Sequence, residues 1–123
     1  MKMLQKTIFA FVIFMVLDFI FLTLNQASFG NQVIHVQRVA MTMKPLGALG
    51  AYVLILFALY YFILRKHRPV EEAFILGTVV NGVFEFTNYA ILKKWELATV
   101  VKDTLWGGVS WGLTTFITYK IFP

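Results

Sequence analysis

Two acidic residues of this sequence lie inside stretches that are otherwise apolar. Asp18 interrupts the run Thr7–Leu24, and Glu85 lies in the run Phe74–Leu92. An ionisable side chain in the middle of a membrane helix costs about 2.5–3.5 kcal/mol on insertion scales, so it usually marks a functional site or an interhelical contact. Both residues are therefore candidates for binding and releasing a proton, a cation or a small solute.

Further polar side chains accompany Glu85 at helical spacing. Asn81 lies one turn before it and Asn88 one turn after it, so the three residues share one face of a helix. A polar stripe on an apolar helix faces the interior of a bundle or a wet cavity rather than lipid. We expect Glu85 to bind the ion and the two amides to coordinate or orient it.

The depths of the acidic residues suggest how they act together. Asp18 and Glu85 each lie about 16 Å from the inner membrane boundary, at ~1.5 Å per residue, on spans that run parallel. Two carboxyl groups at one level in a low dielectric resist being ionised together, as a proton relay or a proton-exchanging cation site requires. Asp103 belongs to the same predicted binding set but is shallower, where Lys102 or Lys94 could neutralise it.

A structural role explains the same residues. A protonated Asp or Glu can hydrogen-bond to a neighbouring Asn or Thr and hold a helical bundle together. The sequence favours the functional role over the structural one for Asp18 and Glu85, and it favours the structural role for Asp103 because that residue lies near the interface.

Other kinds of chemistry find little support in the sequence. The chain has no cysteine, and His35 and His67 have no partners at the spacing of metal ligands, so neither a metal nor a cofactor is predicted. No nucleophile motif or phosphate-binding loop is found, and no enzyme activity is predicted. The net charge of +5 comes from basic residues that meet lipid headgroups at the ends of apolar runs, so nucleic acid is not an expected partner.

The composition and the apolar runs indicate a membrane protein. Of the 123 residues, 59% are hydrophobic and 14% are charged, against about 25% charged in an average soluble domain. A helix that crosses the hydrocarbon core takes about 20 residues. The runs of that length are Thr7–Leu24, Leu46–Leu64, Phe74–Leu92 and Asp103–Ile121. We therefore predict an all-α protein, a single domain of residues 1–123 with four transmembrane helices in a compact bundle.

Two features concern how these helices pack. Val16–Phe19 in the first run resembles Val83–Phe86 in the third, which would fit two tandem helical hairpins. Short matches of this kind also arise between unrelated apolar helices. Gly108 and Gly112 form a small-xxx-small pair that permits the close approach of another helix, in the bundle or in a homo-oligomer.

The connecting segments differ in length and charge. Asn25–Pro45 is predicted to be a polar loop with a short interfacial helix at about Val33–Met43. The turn Arg65–Pro69 is compact and basic, with Pro69 placed to begin the third helix, and Trp95 is expected to anchor at the membrane surface. The basic turn favours an orientation in the plasma membrane with both termini in the cytoplasm, although basic residues are nearly balanced between the two sides.

A motif in the second half of the chain points to a family. Its residues are Glu85-Phe86-Thr87-Asn88-Tyr89-Ala90-Ile91-Leu92, then Trp95, then Asp103-Thr104-Leu105-Trp106-Gly107. This order resembles the (Asp/Glu)-x-Thr-Asn-x-Ala-x-Leu, Trp, Asp-x-x-Trp-Gly pattern of a family of small, mostly bacterial, membrane proteins of unknown function. Asp18 is similar to an aspartate in that family's first span, and Glu85 stands where an aspartate is usual. The resemblance implies four spans and emphasises the same carboxylates, but it implies no activity.

These observations support two hypotheses from different classes. In the first, the chain moves a proton, a cation or a small solute through the membrane, as a homo-oligomer because four helices enclose little space. In the second, it is a non-catalytic accessory or assembly subunit of a larger membrane complex, and the polar stripes are interhelical contacts. A membrane enzyme acting on lipid ranks last, because no nucleophile, metal set or headgroup clamp accompanies the paired acids.

Overall fold

Four helices follow one another along the chain. The computed structural model describes residues 2–37 and 44–123, apart from the side chains at positions 26–30 and 32–37. The helices are α1 (Lys2–Gln37), α2 (Pro45–Leu59), α3 (Val70–Ile91) and α4 (Leu97–Ile121), and a π-helical turn, Tyr60–Leu64, extends α2. The described residues contain no strand, which confirms the predicted all-α class.

The first helix is longer than the sequence suggested. The candidate membrane span in α1 ends at Asn25, next to the predicted Leu24, but the prediction of a polar loop after it is wrong, since the helix continues to Gln37. The polar segment contains no proline to stop a helix, and the Asn25 side chain donates to the Phe21 carbonyl at 2.9 Å within α1. The predicted interfacial helix at about Val33–Met43 is thus part of α1 as far as Gln37, and residues 38–43 lie outside the described residues.

Local sequence explains where the other helices begin. Pro45 occupies the first turn of α2, where its missing N–H removes no helical hydrogen bond, and Pro69 directly precedes α3 as predicted. α4 begins at Leu97 rather than at Asp103. Asp103 therefore lies inside this helix, about 9 Å from its beginning.

α1 packs antiparallel against α4. Their contacts step along the pair at helical intervals, each joining a later residue of α1 to an earlier residue of α4. The pairs are Lys6 with Tyr119, Phe14 with Trp111, Phe21 with Trp106, and Asn25 with Lys102. The rings of Phe21 and Trp106 are stacked with centroids 4.9 Å apart. Aromatic pairs of this kind contribute about 0.5–1.5 kcal/mol beyond the area that they bury, so they fix the register of the two helices.

α3 and α4 make the most extensive helix contact in the described part of the chain. A Cβ atom built on Gly77 would lie 2.2 Å from the Gly107 carbonyl oxygen, and one built on Gly107 would lie 2.3 Å from the Gly77 carbonyl oxygen. Only glycine at both positions allows the two backbones to approach this closely. The sequence analysis did not identify Gly77 and Gly107 as the crossing point.

The predicted packing pair lies beside this crossing. A Cβ atom on Gly108 would lie 2.4 Å from Thr78 Oγ1, whereas one on Gly112 would lie 3.6 Å from Phe74, an ordinary contact distance. Both glycines face α3 of the same chain, so they serve the bundle rather than a free surface. Of the two, only Gly108 requires glycine for steric reasons.

α2 lies at the edge of the bundle. Within its bounds only Leu59 is buried, and a Cβ atom on Gly47 or Gly50 would meet no atom within 4 Å. The π-helical turn is itself one residue wider than an α-helical turn. Its residues Ile63 and Leu64 join Leu59 in the core. Because α1 packs on α4 while α2 stays peripheral, the first two helices do not repeat the packing of α3 and α4, and the proposed tandem hairpins find no counterpart in the described contacts.

Three helices of the described chain are long and apolar enough to cross a membrane, over Lys2–Asn25, Pro45–Leu64 and Val70–Ile91. α4 is not among them, although its 25 residues measure about 37 Å. The reason lies in its buried side, which is mostly Gly, Ser and Thr and packs against α1 and α3. Its exposed side carries an apolar stripe formed by Leu105, Val109, Leu113 and Phe116. We interpret α4 as the inner helix of a bundle with a single strip of lipid-facing surface.

The substitution Gly77→Ala tests the crossing of α3 and α4. The added methyl group meets a backbone oxygen and the base of the Trp111 side chain, neither of which can move without shifting a helix. Overpacking of this kind destabilises by about 1–3 kcal/mol, so we expect a lower midpoint of thermal unfolding in detergent. Gly47→Ala is the matched control and should unfold no earlier than the wild type, because its methyl group meets open space. Equal midpoints for the two variants would contradict the crossing.

Candidate functional site

Glu85 lies on the inner face of α3, with 2% of its surface exposed. The Trp95 indole donates from Nε1 to Glu85 Oε1 at 2.9 Å. The connection after α3 positions this donor, because the Leu92 N–H donates to the Asn88 carbonyl at 2.8 Å and the Trp95 N–H donates to the Leu92 carbonyl at 3.1 Å. The short loop therefore turns back over the bundle and supplies a fixed donor to a buried carboxyl group.

Asp103 on α4 lies opposite Glu85. The two carboxyl groups lie close enough to interact. The Asn81 amide donates to the Asp103 main-chain carbonyl at 3.1 Å and approaches its Oδ1 at 3.5 Å. An ionised carboxylate only accepts hydrogen bonds, so two carboxyl groups can bond to each other only when one of them holds a proton. The geometry of Glu85 and Asp103 therefore suits a shared proton.

Asp18 brings the other two helices to the same region. The Tyr52 hydroxyl on α2 donates to Asp18 Oδ2 on α1. Asp18 also lies close enough to Asp103 for its charge to act on that carboxyl group. We call Asp18, Glu85 and Asp103 the carboxyl cluster. The sequence predicts that Asp18 lies beside Glu85. In the structure Glu85 lies beside Asp103 instead, because α3 and α4 are in direct contact.

No basic side chain neutralises the carboxyl cluster in the described part of the chain. The ion pair found there joins Arg68 to Glu72 at 2.6 Å, in the surface region at the other end of the bundle. The sequence suggests that Lys102 could neutralise Asp103. In the structure Lys102 instead donates to Asn25 Oδ1 at 2.8 Å. The donors that reach the cluster are the neutral groups of Tyr52, Trp95 and Asn81. Its acids can therefore lose their net charge only by binding protons or cations.

Other polar groups lie beside the cluster. Asn88, the remaining predicted ligand, is half-buried one turn beyond Glu85. Thr104 Oγ1 and Trp106 Nε1 are buried and have no hydrogen-bond partner among the described residues. An unsatisfied buried polar group costs about 1–3 kcal/mol, and such groups in proteins normally have a partner. These two atoms are therefore available to an ion, a solute or water that enters the bundle.

The histidines lie away from the carboxyl cluster or outside the described side chains. No group of three or more His, Asp or Glu residues that could hold a metal ion is found in the ranges that the structure describes, so the three acids of the carboxyl cluster do not form a metal-ion site in this arrangement. His67 lies in the turn before α3, at the opposite end of the bundle, where its ring stacks on Tyr119 with centroids 4.0 Å apart. The side chain of His35 is outside the described residues.

Two residues that contact the cluster were not found by sequence reasoning. Trp95 was interpreted as a surface anchor, although its position between Glu85 and Asp103 in the family-like motif was a usable signal. Tyr52 carried no such signal, because its partner Asp18 is on another helix and the two meet only in the folded bundle. Buried donors for carboxyl groups are thus visible in a sequence when they are local and invisible when they come from another helix.

Comparison with known proteins identifies a family. A model of a family described as a predicted membrane protein matches residues 3–120, nearly the full chain. This match confirms the resemblance, seen in the sequence, to a membrane protein family of unknown function. No curated protein and no solved structure matches the chain.

The substitution Trp95→Phe tests whether the indole N–H supports Glu85. It removes the donor at 2.9 Å and leaves a carboxyl group that is 2% exposed with one partner fewer, which costs about 1–3 kcal/mol. We expect an earlier thermal unfolding transition in detergent. Trp106→Phe is the matched control, because it removes an indole N–H without a partner and keeps a ring that can stack on Phe21. A control variant at least as destabilised as Trp95→Phe would refute this role.

Proposed function

The chain belongs to DUF2177, a family of predicted membrane proteins, and we propose that it is a small membrane transport protein that binds and releases protons or cations at its carboxyl cluster. Asp18, Glu85 and Asp103 are the binding groups in this proposal. Asn81 and Asn88 orient them, and Tyr52 and Trp95 supply hydrogen bonds to the charged forms. The basic turn Arg65–Pro69 favours a plasma-membrane orientation with both termini in the cytoplasm.

The observation that carries the proposal is the contact between Glu85 and Asp103 without a basic partner. A carboxyl pair of this kind holds one proton readily and a second charge only at a high electrostatic cost. Proton release therefore leaves a negative site inside the bundle, which favours the entry of another proton or a cation. A lysine or arginine in contact would have removed this exchange by fixing the charge.

The cluster also involves all four helices. Asp18 belongs to α1, Tyr52 to α2, Glu85 to α3 and Asp103 to α4. A change in the charge of one carboxyl group alters a hydrogen bond or a repulsion that other helices share. Protonation and helix packing are thus coupled, and a transporter needs such coupling to open its site to the two sides in turn.

The location of the cluster supports access from one side. Glu85 lies about 9 Å from the carboxyl end of α3, and Asp103 lies about 9 Å from the beginning of α4. Thr104 and Trp106, next to Asp103 along α4, have buried polar atoms without a hydrogen-bond partner in the described part of the chain. A path to the other side would have to pass the apolar core around Leu59, Leu64 and Trp111, so transport requires a second conformation.

The peripheral helix α2 favours assembly of several copies. Its glycines Gly47 and Gly50 face open space, and the helix buries only Leu59 against its own chain. Small residues on an exposed membrane helix allow close contact with another helix. A homo-oligomer would enclose more space than four helices can, and the exposed side of α2 offers one surface for it.

Proton flux into liposomes tests the proposal. Purified protein is reconstituted with a pH-sensitive dye inside the vesicles, and an imposed membrane potential drives proton entry. We expect the double variant Glu85→Gln/Asp103→Asn to reduce the flux by roughly tenfold or more, because it removes both groups that exchange the proton. Each variant must keep the elution profile and unfolding midpoint of the wild type for the comparison to count.

Glu72→Gln is the matched control for this experiment. It makes the same chemical change on α3, but Glu72 pairs with Arg68 at the surface and does not contact the cluster. Its flux should equal that of the wild type. Flux that persists undiminished in the folded double variant would refute transport through the carboxyl cluster, whichever ion is carried.

The alternative function is that of an accessory or assembly subunit in a larger membrane complex. The open surface of α2 favours this alternative as much as it favours self-association. Purification from its own host in mild detergent separates the two. A stable homo-oligomer that transports supports the first proposal, and co-purification with unrelated membrane subunits in fixed ratio, without flux in isolation, supports the second.

A further inference from the structure

A second polar cluster lies at the end of the bundle opposite the carboxyl cluster. It is formed where the beginning of α1, the turn before α3 and the end of α4 meet, and it centres on Lys6. This lysine is only 7% exposed, an unusual burial for an ammonium group. The proposed transport function does not use it.

The contacts of Lys6 are to uncharged groups. Its Nζ lies 3.2 Å from His67 Nδ1 and 4.7 Å from the centroid of the Tyr119 ring. An imidazole nitrogen and an aromatic face both stabilise an ammonium, but neither cancels its charge. The nearby carboxylate of Glu72 is taken by Arg68 at 2.6 Å, and no ion pair to Lys6 is found in the described chain. A buried cation therefore lacks a counter-ion.

The turn that carries His67 holds this arrangement in place. His67 has a φ of 49°, in the left-handed region that residues with a side chain rarely adopt, and that conformation costs about 1–2 kcal/mol. Its ring stacks on Tyr119, whose hydroxyl donates to the Arg68 carbonyl at 2.7 Å. The fold thus accepts backbone strain at the position that places the imidazole beside Lys6.

A cavity opens beside Lys6 between the ends of α1 and α4. It has a volume of about 410 Å³, within the range of small-ligand sites. One part of its wall is polar and basic, with Lys2, Gln5 and Lys6, and another part is mainly apolar, with Met3, Ile121, Phe122 and Pro123. Two ammonium groups and a carboxamide can bind a phosphate, and the apolar wall can contact the carbon chains attached to it.

We propose that this cavity binds the headgroup of an anionic phospholipid. Its phosphate would lie between Lys2 and Lys6 and supply the counter-ion that the described chain lacks, while its glycerol and acyl groups would lie against Phe122 and its neighbours. A lipid fits better than a soluble anion because the cavity lies at the end of membrane helices and has both polar and apolar walls. A bound headgroup would hold the beginning of α1 and the end of α4 together in an anionic membrane.

Native mass spectrometry of the purified full-length protein tests this site. Phosphatidylglycerol and phosphatidylcholine with identical acyl chains are titrated separately, and inorganic phosphate is titrated in a third series. We expect phosphatidylglycerol to bind at least tenfold more tightly than phosphatidylcholine to the wild type. Lys6→Gln and Lys2→Gln should each weaken phosphatidylglycerol binding about fivefold, the usual effect of one basic residue near an anionic lipid.

Lys66→Gln is the matched control, since it removes one positive charge from the exposed turn outside the cavity. It should bind phosphatidylglycerol as the wild type does. If Lys6→Gln does not fold, Lys2→Gln still decides the result, because Lys2 is exposed and its replacement leaves the core intact. Equal losses in Lys2→Gln and Lys66→Gln, equal binding of the two lipids, or binding of inorganic phosphate alone would each overturn the proposal.

Discussion

The crossing of α3 and α4 at Gly77 and Gly107 determines the rest of the candidate site. Because neither residue has a side chain, each backbone lies against the other's carbonyl oxygen. The next residues outward are then forced together, and Asn81 reaches Asp103 while Glu85 comes into contact with the same carboxyl group. A wider crossing would separate these polar groups and leave each of them without its hydrogen-bond partner in an apolar environment.

The carboxyl cluster is stabilised by donors that have no charge. Tyr52 and Trp95 each supply one hydrogen bond, to Asp18 and Glu85 respectively. Hydrogen bonds of this kind make a buried carboxyl group tolerable without fixing its protonation state, whereas an ion pair would fix it. This distinction is why we propose proton or cation exchange rather than a purely structural network.

The two ends of the bundle have opposite electrostatic character. At one end acidic side chains meet without bases, and at the other Lys6 meets His67 and Tyr119 without acids. α1 connects them, since it carries Asp18 near one end of its buried portion and Lys6 near the other. In the two proposals each cluster binds a charged species from outside, a proton or cation at one end and an anionic headgroup at the other.

Hydropathy and helical periodicity are local properties, so the chain's own pattern already indicates the class of the protein, the positions of most apolar helices and the acidic residues of interest. It misjudged the end of α1, where a polar segment without proline continued the helix to Gln37. Three features become visible only in the folded bundle. Glu85 is the neighbour of Asp103, and Tyr52 reaches Asp18. α4 is the inner helix despite its lower hydropathy. Those outcomes depend on which helices touch, and the contact is set by the absence of two side chains, at Gly77 and Gly107, whose pairing cannot be read from either helix alone.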